Sequence, residues 1–238
     1  SLNWQHGDAK AFLAAKDWHS IEVTEGVTVF DAKQHNFNFP APLDMTNISL
    51  NYDDKFLDAV NNGFLPETFV QNCRQAMQTG EPGFSFNFGD KENETLRNAC
   101  TEVTSEDDSD VCNLGSINIG AIDDIDEFRS IVRVASMFLV AGTLVADLPT
   151  KKVYEVRAKN RRLGLGLMGI HEFLLKRGSN YEVTEELHRW LEVYRDESEK
   201  AANMLCDERG INHPVAYRAI APTGTIGILA GTTTGIEP

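Results

Sequence analysis

The chain has 238 residues, enough for one large domain or two small ones. A hydrophobic fraction of 42% is ordinary for a globular protein, and a net charge of −14 argues against general binding of DNA while leaving room for a single nucleotide in a local pocket. Four scattered cysteines argue against a secreted disulfide scaffold, and no cationic-then-apolar leader opens the sequence, so a cytoplasmic protein without a membrane partner is expected.

Residues 8–16 predict a helix with Phe12, Leu13 and Ala15 available for burial. Across 46–52, Ile48, Leu50 and Tyr52 alternate as in a half-buried strand. Asp53 is placed to cap a helix through about Val60, which Asn61-Asn-Gly63 stops. Pro66 begins another, ending near Gly80. Short strands are expected at 83–88 and 112–119, and the acidic run 104–110 reads as a solvated loop between two cysteines.

The second half is helix-rich. Asp123 or Asp124 can cap a helix to about Leu148, before Pro149. Its run 134–146 is the most apolar of the chain, too short to cross a bilayer, and reads as a buried helix. Helices are also expected over roughly 153–176, with glycines inside it, and 185–208. Residues 217–221 form a short apolar strand that runs into Pro222-Thr-Gly-Thr-Ile-Gly227, where a new helix starts. Strands alternating with long helices predict an α/β fold. No internal repeat or low-complexity linker is present.

The most informative stretch is Asn98-Ala-Cys-Thr-Glu102. In an extended segment, side chains two apart share a face, which would group Asn98, Cys100 and Glu102. An amide, a thiol and a carboxylate can hold a hydroxyl-bearing substrate, attack it through sulfur and move a proton. Cys112 lies across the acidic loop, and a hairpin-like return could bring the two thiols together. A paired redox role and independent roles are equally open on spacing alone. Cys73 and Cys206 sit at helical spacing among apolar residues and read as small core residues.

A zinc site would need four ligands at short spacings, and the region 98–120 offers neither Cys-x-x-Cys nor histidine, so no protein-bound metal is expected. Gly164-Leu-Gly-Leu-Met-Gly169 matches the dinucleotide fingerprint letter for letter, but it follows a predicted helix and lacks the acidic strand end about 20 residues on. Close packing of a helix on a neighbour is the better reading, and a nicotinamide-dependent oxidoreductase is a distant alternative. Thr223-Gly-Thr-Ile-Gly227 joins a strand to a helix start, where unpaired N–H groups and the helix dipole suit an anion. A plain strand-to-helix turn explains it equally well. Without a lysine the loop is not of the Walker type, so nucleoside triphosphate hydrolysis is not expected.

Three blocks then converge: Asn98-Ala-Cys-Thr-Glu102 with Cys112-Asn-Leu-Gly-Ser-Ile-Asn118, Lys159-Asn-Arg-Arg-Leu-Gly-Leu-Gly-Leu-Met-Gly169, and Ala221-Pro-Thr-Gly-Thr-Ile-Gly227 with Gly235-Ile-Glu-Pro238. In order and spacing they closely resemble the catalytic large subunit of ribonucleotide reductases, over nearly the whole chain. The resemblance implies part of a ten-stranded α/β barrel with a radical-cysteine loop threading its centre. By that resemblance Cys100 becomes the thiyl radical that takes hydrogen from the ribose C3′. Glu102 takes the proton of the 3′ hydroxyl, and Asn98 hydrogen-bonds the substrate. Cys112 is one of two cysteines that reduce the 2′ position. Thr223, Gly224, Thr225 and Ile226 bind the substrate's phosphates, in agreement with the anion reading of that turn.

The blocks look most like the adenosylcobalamin-dependent class, with the class served by a separate radical-generating subunit as the alternative. An external dithiol, a thioredoxin-like reductant and a homodimer are implied partners. In the family, the reducing partner of Cys112, the specificity region and later barrel strands lie outside the span matched here. Residues 1–238 are therefore expected to be the central portion of an incomplete catalytic barrel domain. The competing expectation is a non-catalytic fragment or split-enzyme piece that needs a partner chain. Ala99 stands where many relatives have proline, which leaves the three functional side chains alone.

Overall fold

The computed structural model describes residues 1–238 as two compact units, Ser1–Glu106 and Asp107–Pro238. The first unit contains, in chain order, β1 (Leu2–Asn3), α1 (Ala9–Ala14), β2 (Glu22–Thr24), β3 (Val27–Thr28), α2 (Val29–His35), β4 (Ser49–Tyr52), α3 (Asp54–Asn61), α4 (Glu67–Thr79), β5 (Gly83–Phe86), β6 (Leu96–Arg97) and β7 (Thr104–Ser105). Strands β1, β4 and β5 form a parallel sheet in that order, with Leu2 opposite Leu50 and Leu50 opposite Phe84. Two antiparallel pairs, β2–β3 and β6–β7, stand apart from it.

The alternation that predicts a half-buried strand yields one buried on both faces from Leu50 to Tyr52. Leu50 and Tyr52 are inaccessible, and Asn51 between them is also buried. With strands on both edges and covered faces, β4 behaves as parallel strands do. Its Tyr52 hydroxyl donates to Asn72 Oδ1 at 2.8 Å, and Asn72 Nδ2 donates to the Pro82 carbonyl at 2.7 Å. Burial pushes the Tyr52 hydroxyl far above the usual tyrosine range. Leu13, Leu50, Tyr52 and Phe56 form the core, flanked by Phe69 and Phe84. Asp53 caps α3 as expected, accepting from the Phe56 amide at 3.3 Å, and also accepts from the Trp4 indole at 3.0 Å. Helix α4 follows Pro66 and ends at Gly80, whose φ of +83° suits glycine.

The second unit contains β8 (Asn113–Asn118), α5 (Ile125–Val145), α6 (Lys151–Asn160), β9 (Leu163–Met168), α7 (Ile170–Lys176), α8 (Glu185–Arg209) and α9 (Gly224–Ala230). The helix expected over 153–176 is thus three elements. Arg161 takes a left-handed conformation that ends α6, and its buried guanidinium donates to Thr143 Oγ1 at 2.9 Å and to the Asn212 carbonyl at 3.0 Å. Glycines at 164 and 166 disfavour helix, and the apolar residues Leu163, Leu165 and Leu167 alternating with them are buried in a strand. Strand β9 pairs in parallel with β8 from Asn113–Leu163 to Asn118–Met168. The strand expected at 217–221 reduces to one bridge, Arg218 beside Leu165.

Asp124 caps α5 by accepting from the Asp126 and Glu127 amides. The helix is buried on one face only. Phe128, Val132, Leu139 and Val140 enter the core, whereas Val134, Phe138 and Val145 are exposed. With 21 residues it is long and apolar enough, by length and composition, to cross a membrane, which corrects the shorter run expected from sequence. Core helices of soluble proteins meet the same criterion, and this one packs on α8 and β8. Rings of Phe128 and Phe173 lie 4.9 and 4.8 Å from Trp190, and the Arg177 guanidinium lies 3.6 Å from the centre of Phe173. Cys206 is buried as expected, while Cys73 is half-buried.

The acidic run is not simply a solvated loop. Thr104 and Ser105 belong to β7. Asp107 accepts from Lys159 and Asn160, Asp108 from Lys152, and Asp110 from Asn160 and Arg162. The basic side of the second block is therefore the counter-charge of the acidic run.

Candidate active site

The first unit gathers three of the expected residues in one hairpin, but not on an extended face. Residues 98–103 form the turn between β6 and β7. The Asn98 amide N–H donates to the Val103 carbonyl at 3.4 Å, and Asn98 Oδ1 accepts from the Val103 amide at 3.1 Å. Thr101 donates its N–H to the Asn98 carbonyl and adopts a φ of +64°. A chain bent in this way cannot alternate its side chains, so the shared-face argument fails while the grouping survives. Cys100 is exposed on the turn. Glu102 is half-buried, and its Oε2 is shielded from solvent with no hydrogen-bond partner. Buried acceptors are normally hydrogen-bonded, so this oxygen retains acceptor capacity that the fold does not use.

Arg97 was not singled out by sequence, yet it fixes the base of this hairpin. Its Nε donates to Ser85 Oγ at 2.5 Å, and its NH2 group donates to the Phe86 carbonyl at 3.0 Å and Asn87 Oδ1 at 3.1 Å. Asn87 in turn donates to the Glu94 carbonyl at 3.1 Å. The available signal was Ser85-x-Asn87, two polar residues at strand spacing in an aromatic run. A cavity of about 110 Å³ lies against Arg97, Asn98, Ala99 and Thr101.

In the second unit, Cys112 stands half-buried at the entrance to β8, its Sγ 3.9 Å from the Asn113 carbonyl. It faces Gly164, where a β-carbon would lie 2.9 Å from the sulfur. At Gly166 a β-carbon would lie 2.7 Å from the Ala219 carbonyl. The close-packing reading of this glycine motif therefore holds in a strand instead of a helix. Both glycines lie inside β9, so they form no turn at a helix start for a pyrophosphate.

Thr223 precedes α9 with a φ of +52° and is buried. Its Oγ1 accepts from the Gly235 amide at 2.7 Å. Gly224, Thr225 and Ile226 are exposed, and they form the first turn of the helix, where amide N–H groups lack partners within the helix. No grouping of three or more His, Cys, Asp or Glu side chains is arranged to hold a metal ion.

Residues 69–218 match the family model of the ribonucleotide reductase barrel domain. The chain belongs to this family. It is 32% identical over 216 residues to a protein of Mycobacterium phage D29 named for adenosylcobalamin-dependent ribonucleoside-triphosphate reduction, covering 81% of this chain and 31% of the relative. It is 29% identical to the vitamin B12-dependent ribonucleoside-diphosphate reductase of Thermoplasma acidophilum, covering 100% of this chain and 34% of that protein. The chain thus spans about a third of the length of these curated relatives. Its fold matches the class Id ribonucleotide reductase alpha subunit of Actinobacillus ureae with a TM-score of 0.69 at 17% identity, over 99% of this chain and 48% of that one. The expected fold, part of a reductase barrel with a helix-rich second half, is borne out.

Proposed function

We propose that this chain carries the ribonucleotide-reducing chemistry of its family, with the Asn98–Glu102 hairpin at the reacting ribose. The observation that carries the reading is the shielded, partnerless Oε2 of Glu102 two residues from an exposed thiol. A ribose 3′ hydroxyl would donate to that oxygen, and Asn98, whose Oδ1 already closes the hairpin, would offer its NH2 group to the substrate.

In this reading the Cys100 thiyl removes hydrogen from C3′ while Glu102 accepts the 3′ hydroxyl proton. The 2′ hydroxyl leaves as water, and two electrons come from Cys112 and a second thiol, which end as a disulfide. Cys206 does not fit that second role, because it is buried and burial pushes its thiol up. The family resemblance places the second thiol elsewhere in the enzyme, and in this proposal an external dithiol of the thioredoxin type resets the pair. Thr223, Gly224, Thr225 and Ile226 receive the phosphates of a nucleoside diphosphate or triphosphate.

The names of the relatives support adenosylcobalamin as the radical source. An exposed Cys100 fits such a group, because its sulfur is open to approach. Adenosylcobalamin, when bound, would supply the radical that activates this thiol. Further segments of the enzyme, a homodimeric arrangement or a partner chain belong to this proposal, since the chain spans about a third of each relative.

The test is reduction of the four ribonucleotides with adenosylcobalamin and dithiothreitol, using the chain alone and with the flanking segments its longer relatives carry. Product formation that disappears in Cys100→Ala supports the proposal. Undiminished product formation in Cys100→Ala overturns the thiyl assignment.

A further inference from the structure

The third glycine of the fingerprint has a use that the dinucleotide reading does not explain. Beyond α9 the chain doubles back as a strap, residues 232–235, laced on two sides. On one side lies the turn from β9 into α7. There the Gly169 amide donates to the Thr233 carbonyl at 3.1 Å. The Glu172 carboxylate accepts from the Thr233 amide at 2.8 Å and from Thr233 Oγ1 at 2.6 Å. On the other side lies the anion turn. There the Thr232 amide donates to the Gly227 carbonyl at 3.0 Å, and the Gly235 amide donates to Thr223 Oγ1 at 2.7 Å.

Gly169 makes this approach feasible. Its φ is +76°, and a β-carbon there would lie 2.5 Å from Thr232 Oγ1 and closer still to Asn118 Oδ1. Glu172 occupies both donors of Thr233 at once, which makes it the strongest single tie on the strap. Thr223 itself sits in the left-handed region, an arrangement that surrounding contacts must maintain in a residue other than glycine.

We propose that Glu172 is a positioning residue for phosphate binding: by clamping Thr233 it holds the strap that keeps Thr223 and the following amides in their anion-receiving shape. This inference rests on the phosphate reading of the 223–226 turn.

Calorimetric titration of the full chain with inorganic pyrophosphate and with cytidine diphosphate tests it. If neither probe binds the unaltered chain, the phosphate reading falls and this inference falls with it. If they bind, Glu172→Ala should raise Kd about tenfold, the scale of one lost charge-assisted hydrogen bond. Glu172→Gln, which still accepts from the Thr233 amide, should restore most of the affinity. An unchanged Kd in a folded Glu172→Ala overturns the inference and leaves the phosphate reading standing. If that variant does not fold, Glu172→Asp decides, because its shorter side chain draws the carboxylate back from both Thr233 donors: a raised Kd supports the clamp, and an unchanged one refutes it. A purely structural role would lower the thermal stability of the alanine variant and leave Kd for both probes unchanged.

Discussion

Gly164 and Cys112 face each other across the β8–β9 pair, with the place of a glycine β-carbon 2.9 Å from the sulfur. The same position is closed by Leu114 and by Ala219, 3.2 Å away. Gly164→Ala should therefore destabilise the second unit by about 1–3 kcal/mol, the usual cost of overpacking. Urea unfolding would show it, together with altered alkylation of Cys112 by a thiol reagent. An alanine variant with unchanged stability and thiol reactivity would show that β8 and β9 separate easily.

Glu102→Gln keeps the shape of the side chain and removes its capacity to take a proton. Ribonucleotide reduction by the assembled enzyme should fall about 10²- to 10⁴-fold, the range for loss of a general base. Stability should hold within about 0.5 kcal/mol, since Oε2 makes no hydrogen bond to lose. A rate within twofold of the original enzyme would sink the base assignment.

Replacing Arg97 by methionine should loosen the hairpin that carries Cys100. The guanidinium contacts Ser85, Phe86 and Asn87, and methionine supplies none of those donors. Hydrogen exchange at the Val103 amide, which donates to Asn98 Oδ1, should speed up more than in the β4–β5 pairing, where Leu50 lies opposite Phe84. Equal protection in both chains would mean that the turn holds itself.

Tyr52→Phe leaves Asn72 Oδ1 inside the first core without its donor. The expected loss is about 1–3 kcal/mol, the cost of an unsatisfied buried polar group. Thermal unfolding followed by circular dichroism measures it, and a loss below a few tenths would contradict the buried pairing.

The Asp53 carboxyl lies below the usual aspartate range. Burial alone would raise it, but hydrogen bonds from Trp4, Asn3 and the Phe56 amide outweigh that. Its folded-state pKa is depressed, so its stabilising contribution is complete above the ordinary value of 3.8 and is lost as pH falls through the lower folded value. The Trp4 indole N–H resonance should follow that acid transition. In Asp53→Asn the transition should vanish, and a persistent one would place the titrating group elsewhere.

Much of this protein is legible in its sequence, because local chemistry decides it. Asp53 and Asp124 mark helix starts since a carboxylate beside free amide donors has few better partners. Gly80 marks a helix end through its positive φ. The three motif blocks identify the family because their residue types and order do not depend on how the chain bends.

Tertiary structure decided what depends on neighbours. Residues 163–168 became strand because β8 on one edge and residues 217–219 on the other give their backbone groups partners that a glycine-weakened helix would not hold as well. Residues 98–103 turned instead of extending because Leu96 and Arg97 pair with Ser105 and Thr104, which forces a reversal between them. Asp107, Asp108 and Asp110 met Lys159, Lys152 and Arg162 only once the chain had folded. Composition shows that these charges exist, whereas the bond between distant residues is set by the packing that brings them within reach.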